Sequence, residues 1–178
     1  MIRAWQAAAL IASLVCLTGC ATPPSQAAGE APWTAGRLSL RVDASPARIA
    51  QSLSVAFEIR GSDDAGELRL TSPLGTQLAS ARWAPGVASL RTPDGERQFA
   101  DLDDLSRQTL GETLPLAAMP AWLAGRPWSG AQYQAQPDGF EQLGWRVQTG
   151  RLAEGWISAR RATAPAVQLR VKLDQPEP

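Results

Sequence analysis

The sequence predicts a mainly β protein: a curved antiparallel sheet with one helical excursion. Three observations carry this. Apolar and polar residues alternate in short runs from Gly36 to Phe99 and again from Leu143 to Leu173, and a period of two marks strands with one buried face. Tight-turn signals separate the runs, Asp94-Gly95 being the strongest. The period changes after Asp101, where Leu102, Leu105 and Thr109 fall on one helical face. Short strands joined by tight turns favour a curved sheet, with the excursion covering its open side; a flat sheet with helices on one face is the alternative. A transmembrane barrel fits poorly, because the excursion interrupts the strand series.

The chain opens with Met1-Ile2-Arg3, then an apolar run from Ala7 to Leu17 broken only by Ser13. That is an export signal, too short for a permanent membrane helix. It ends in Leu17-Thr18-Gly19-Cys20, which resembles a bacterial lipobox, so residues 1–19 are expected to be removed and Cys20 acylated. Several acyl chains give durable anchoring where one gives little. Ala21 stands where an aspartate would favour inner-membrane retention, which fits an outer-membrane address on the periplasmic face. Residues 20–35, with Pro23, Pro24, Ser25, Gly29 and Pro32, read as a tether too poor in apolar surface to fold alone. Trp33 is its first residue expected to dock on the body, and residues 36–174 form the domain.

Within the domain, Leu38, Leu40 and Val42 alternate with Arg37, Ser39 and Arg41. After a turn at Pro46, Leu53, Val55, Phe57 and Ile59 repeat the pattern. Asp63-Asp64-Ala65-Gly66 breaks the chain, and Leu68 and Leu70 begin a third strand. Pro73 and Gly75 interrupt before residues 76–84; Pro85-Gly86 then turns into 87–92, and Asp94-Gly95 leads to Phe99. Asp101 is expected to cap a helix stopped by Gly111. Pro115 and Pro120 bracket Leu116–Met119, and a helical turn through Trp122-Leu123 ends at Gly125. Strands resume near Leu143, with Trp145 and Val147 on one side, and continue at 155–161 and 166–173.

Composition narrows the function. The formal net charge is zero and histidine is absent. With Cys20 as the sole mature cysteine, no intramolecular disulfide, ordinary structural zinc site or histidine-based triad is available. No basic block points to nucleic acid. Asp63, Asp64, Asp101, Asp103 and Asp104 sit in turn or helix-start contexts, a weak basis for a hydrolase. The expected protein is not an enzyme, carries no metal or cofactor, and is a monomer.

Four segments carry a resemblance: Glu67–Thr76, Trp83–Gly86, Thr92–Arg97 and Met119–Pro127. Across roughly residues 33–174 the chain resembles the LolB family of outer-membrane lipoproteins, within the LolA/LolB-like lipoprotein-localisation proteins. Its short linker departs from the family pattern, in which a longer segment with a first helix precedes the opening strand. The resemblance implies an incomplete antiparallel barrel with a helical lid over an apolar cavity. It also implies a receptor and insertase that takes acylated lipoprotein cargo from a soluble periplasmic carrier of the LolA type. Delivery would be into the inner leaflet of the outer membrane, without nucleotide hydrolysis. It places a protruding hydrophobic loop residue at Leu74, between Pro73 and Gly75; proline removes a ladder donor there and glycine permits the bend.

Phe57, Trp83, Phe99, Met119, Trp122, Leu123, Trp145 and Trp156 are the expected cavity lining, since aromatics and flexible methionine suit chains of variable shape. An ordinary core would use the same residues. The competing function is an envelope-assembly or scaffold lipoprotein that binds proteins without moving lipid. An apolar pocket under residues 100–125 favours transport, whereas a packed core favours the scaffold.

Overall fold

A computed structural model describes residues 31–46 and 49–175. The signal segment, Cys20 and the tether up to residue 30 lie outside the described residues. The first strand, β1 (Thr34–Val42), starts two residues before the expected Gly36. β2 (Gln51–Gly61), β3 (Gly66–Thr71), β4 (Gln77–Ala84), β5 (Val87–Thr92) and β6 (Gly95–Phe99) follow as a meander. A helical segment comes next, with α1 (Leu102–Leu110), a 3-10 turn at Leu116–Ala118 and α2 (Met119–Leu123). The chain then returns through β7 (Tyr133–Gln136), β8 (Gly139–Gln142), β9 (Trp145–Gln148), β10 (Trp156–Arg161) and β11 (Val167–Leu173).

All the strands join one sheet in the order β6-β5-β4-β3-β2-β1-β11-β10-β9-β8-β7. Every neighbouring pair is antiparallel. The first and last strands therefore meet in the middle, where Leu38 of β1 lies opposite both Val171 and Val55. The edges are β6 and β7, which flank the helical segment in sequence. The molecule is an incomplete barrel with that segment as its lid, and α1 packs on β5 and β6.

The expected β1–β6 ladder and α1 are present. Asp101 caps α1 by accepting a hydrogen bond from the Asp104 N–H at 2.7 Å, which satisfies one of the donors a helix start leaves free. Gly111 ends the helix at φ 74°, its N–H donating to the Arg107 carbonyl. β7 and β8 were not expected. Tyr133, Gln134 and Ala135 are exposed, so β7 shows no apolar alternation, and β8 buries Phe140 and Gln142. The Asp138-Gly139 pair between them is a hairpin signal of the same kind as Asp94-Gly95.

Trp33 does dock on the body. The guanidinium carbons of Arg60 and Arg69 lie 4.4 and 4.3 Å from its ring centre, within cation–π range. Both arginines also hold Glu67, at 2.9 Å from Arg60 and 3.0 Å from Arg69, with Arg82 at 3.5 Å. Burial pushes the Glu67 carboxyl up, but the hydrogen bonds and charges of these arginines outweigh it and hold the group below its ordinary range.

Candidate functional site

The inward faces of β1 to β5 and β11 converge on an internal space. Leu38 and Leu40, then Leu53, Phe57 and Ile59, then Leu68 and Leu70 reach it from successive strands at the period of the pleat. Ala79, Ala81 and Trp83 of β4 continue the wall. Across from them, the lid contributes Leu102, Leu105, Thr109 and Leu110 from α1, Leu114 to Leu116 from the following turn, and Met119 and Leu123 near α2. The cavity has a volume of about 190 Å³, and among the described residues no charged side chain lines it.

Five of the eight expected lining residues are brought together here: Phe57, Trp83, Met119, Leu123 and Trp145. The other three are elsewhere. Phe99 is buried at the end of β6, with Arg97 over its ring. Trp122 is packed edge-on against Phe140 and tilted against Trp145, fully inside the core. Trp156 is a correction of a plainer kind, since it faces outward. On β10 the buried positions are Ile157 and Ala159, so the pleat turns Trp156 to the other face, beside Arg151 and Lys172. Choosing by aromaticity also missed the leucines that make up most of the wall, although the alternation in β1 to β3 had already marked them.

Polar contacts fasten the lid at its rim. Gln142, buried in β8, accepts from the Trp122 Nε1–H and the Trp128 backbone N–H, both at 2.9 Å. Its amide donates to the carbonyls of Trp128 and Ala131 at 2.7 and 2.8 Å. All four of its hydrogen-bonding capacities are thus used. Ser106, buried in α1, donates to the Asp103 carbonyl and accepts from the Leu114 N–H. Arg161 of β10 pairs with Glu112 at 2.7 Å. The Trp128 indole donates to Asp63 at 2.9 Å.

A wider depression of about 530 Å³ lies outside this rim and shares Trp83, Leu102, Pro115 and Trp145 with the cavity wall. Asp101 and Asp103 stand at its edge. Burial and the neighbouring Asp101 charge raise the Asp103 carboxyl, with Arg107 opposing. Among the described residues no cluster of three or more histidine, cysteine or carboxylate side chains is placed to hold a metal ion.

The second feature is the β3–β4 turn. The Gly75 N–H donates to the Ser72 carbonyl at 2.9 Å, and the Ser72 and Thr76 backbones bond at 2.8 Å. Ser72 Oγ accepts a further bond from the Thr76 N–H. Gly75 adopts φ 85°, a left-handed conformation that favours glycine. This closed turn carries Leu74 at its tip, 94% exposed.

A model of the family described as outer membrane lipoprotein LolB matches residues 33–175. The chain belongs to the LolB family. The outer-membrane lipoprotein LolB of Bordetella pertussis is 31% identical over 98% of this chain and 95% of its own. That of Bordetella petrii is 32% identical over 99% and 94%, and that of Chromobacterium violaceum 32% over 82% of each. As a member of the LolB family, the protein is lipid-anchored at the outer membrane and acts in lipoprotein trafficking there.

Proposed function

We propose that this protein accepts lipoproteins from a soluble periplasmic carrier and inserts them into the inner leaflet of the outer membrane, as a transport factor and not an enzyme. Its own anchor is the acylated Cys20. The observation that carries the reading is the uncharged cavity beneath the lid. Such a wall offers an acyl chain no specific polar partner, only removal from water, at about 0.8 kcal/mol per methylene. Affinity then grows with chain length and tolerates variation in chain shape.

The cavity is smaller than the several hundred Å³ of an ordinary small-molecule site. Acyl chains therefore enter as the lid moves outward, and the depression beside Trp83 and Trp145 is the natural entrance, because its wall continues into the cavity. Nucleotide hydrolysis is not required if each step buries the chains better than the last, from carrier to this cavity to bilayer. Leu74 then contacts the membrane where cargo leaves. A scaffold that binds proteins alone has no use for an apolar void, since filling it would stabilise the fold.

The test is a two-step transfer assay. Purified carrier loaded with fluorescent lipoprotein is mixed first with the protein in solution and then with liposomes. Cargo should move to the protein without ATP and appear in the liposomes only when the protein is present. Cargo that stays on the carrier in the first step would overturn the receptor reading. Cargo held by the protein but never delivered would overturn the insertase reading.

A further inference from the structure

We propose that the membrane-contacting surface has two tips, Ile49 of the β1–β2 connection entering the bilayer beside Leu74. The inference rests on the reading of Leu74 as a membrane contact and extends it to a second loop. Ile49 is 81% exposed, second only to Leu74 among the large apolar side chains of the described residues. Leu78, at 38%, joins them. It is the extra residue of a β-bulge: Leu70 pairs with Ala79 and Thr71 with Gln77, so Leu78 has no partner across the ladder. Bulges bend a strand and re-aim a side chain.

Strand direction puts these residues at one end of the sheet. β1 and β3 run toward it, β2 and β4 run away, and the β10–β11 connection arrives beside them, with the Asp43 N–H bonded to the Ala166 carbonyl. Two of the connections at this end are free of charge. Residues 71–81 and 162–166 contain no ionisable side chain. Asp43 is paired with Arg41 at 3.2 Å, exposed Arg160 stands beside them at the end of β10, and the sequence adds Arg48 in the β1–β2 connection. Charge returns at Asp94 in the β5–β6 turn, which bounds the neutral stretch. The opposite end carries Asp63 and Asp64 in the β2–β3 turn.

A bilayer is the occupant that this pattern fits. Single aliphatic side chains raised on separate turns reach into an acyl layer, whereas protein-binding hot spots are enriched in Trp, Tyr and Arg and under-represented in Leu. The two tips stand about two strand spacings apart, roughly 10 Å. One tip fixes a point of contact, while two fix an axis, so the domain would meet the membrane in a defined orientation.

Full-length acylated protein, with Cys20 blocked by its lipid, can carry a fluorophore on one new thiol: Ile49→Cys, Leu74→Cys, or Ala65→Cys as a control at the other end. Each is reconstituted into vesicles of phosphatidylethanolamine and phosphatidylglycerol containing brominated acyl chains. Quenching at 49 and 74 but not at 65 is the expected result. Quenching at 74 alone would overturn the second tip and leave the Leu74 reading standing; quenching at neither position would overturn both. Independently, Ile49→Glu should lower delivery to liposomes about tenfold while acceptance from the carrier in solution is unchanged. Loss of acceptance instead would make Ile49 a carrier contact and sink the proposal.

Discussion

A leucine held in water by a closed turn is apolar surface awaiting a partner. Leu74 touches no core, so Leu74→Glu should leave stability within about 0.5 kcal/mol of the parent. In hydrocarbon the leucine gains about 1.5–3 kcal/mol, whereas a carboxylate resists entry. The variant should take cargo from the carrier and fail to deliver it, with the two steps measured separately; unchanged delivery would remove Leu74 from the mechanism. Glu67 makes a prediction of a different kind. Its carboxyl is held below the ordinary 4.5, so its stabilisation is complete above that value and is lost as pH falls through the lowered one. Glu67→Gln should cost about 1–3 kcal/mol at pH 7. In urea unfolding from pH 7 down to pH 2, that difference should shrink on the acid side. Gln142 could not have been found from sequence. A buried glutamine looks polar in any pattern, and only its four hydrogen bonds, to Trp122 of the lid and to Trp128 and Ala131 of the following loop, explain why it is inside.

At the level of elements, an ion pair helps to fasten the lid. Arg161 and Glu112 are each about one-fifth exposed and pair at 2.7 Å, tying β10 to the loop after α1. Glu112→Gln should weaken that tie by about 1 kcal/mol, a roughly fivefold change in the opening equilibrium. Hydrogen exchange across α1 should quicken, and cargo acceptance should speed up with it; slower acceptance would mean that this contact guides entry and does not restrain it. β1 to β5 and α1 were legible because each has one face in the interior, which imposes the pleat or helix period directly on the sequence; β6, exposed except at Phe99, was legible from the Asp94-Gly95 turn that precedes it. β7 and β8 were not, because both are only four residues long: β7 is exposed at three of them, and β8 puts a polar Gln142 on its buried face beside Phe140, which leaves no apolar period to read. Trp156 was misread for a related reason. Its size suggested the interior, while the parity of Ile157 and Ala159 already assigned it to the outer face.

For the whole molecule, a void and a packed core write the same alternation, so the cavity itself was visible only through the family resemblance. The distinction can be tested by filling the space. Ala81 is buried on β4 and lines the cavity, so Ala81→Leu should keep or raise the melting temperature and yet reduce photocrosslinking of bound lipoprotein acyl chains. Equal crosslinking with a filled cavity would place cargo elsewhere. The grip on Trp33 has a consequence for reach. Thr34 pairs with Ile59, whereas Thr71, at the end of β3, pairs with Ala56, so the chain enters the body about 20 Å short of the Leu74 tip along the strands. Thirteen residue steps separate Cys20 from Trp33, which span at most about 45 Å when extended. An anchor at Cys20 and a tip at Leu74 can share one membrane only if the leash doubles back along the sheet. Removing eight residues from it leaves roughly 17 Å, and Leu74 should then hang above the bilayer it is proposed to enter: cargo would still be accepted, delivery would stop, and restoring length with unrelated residues would bring it back.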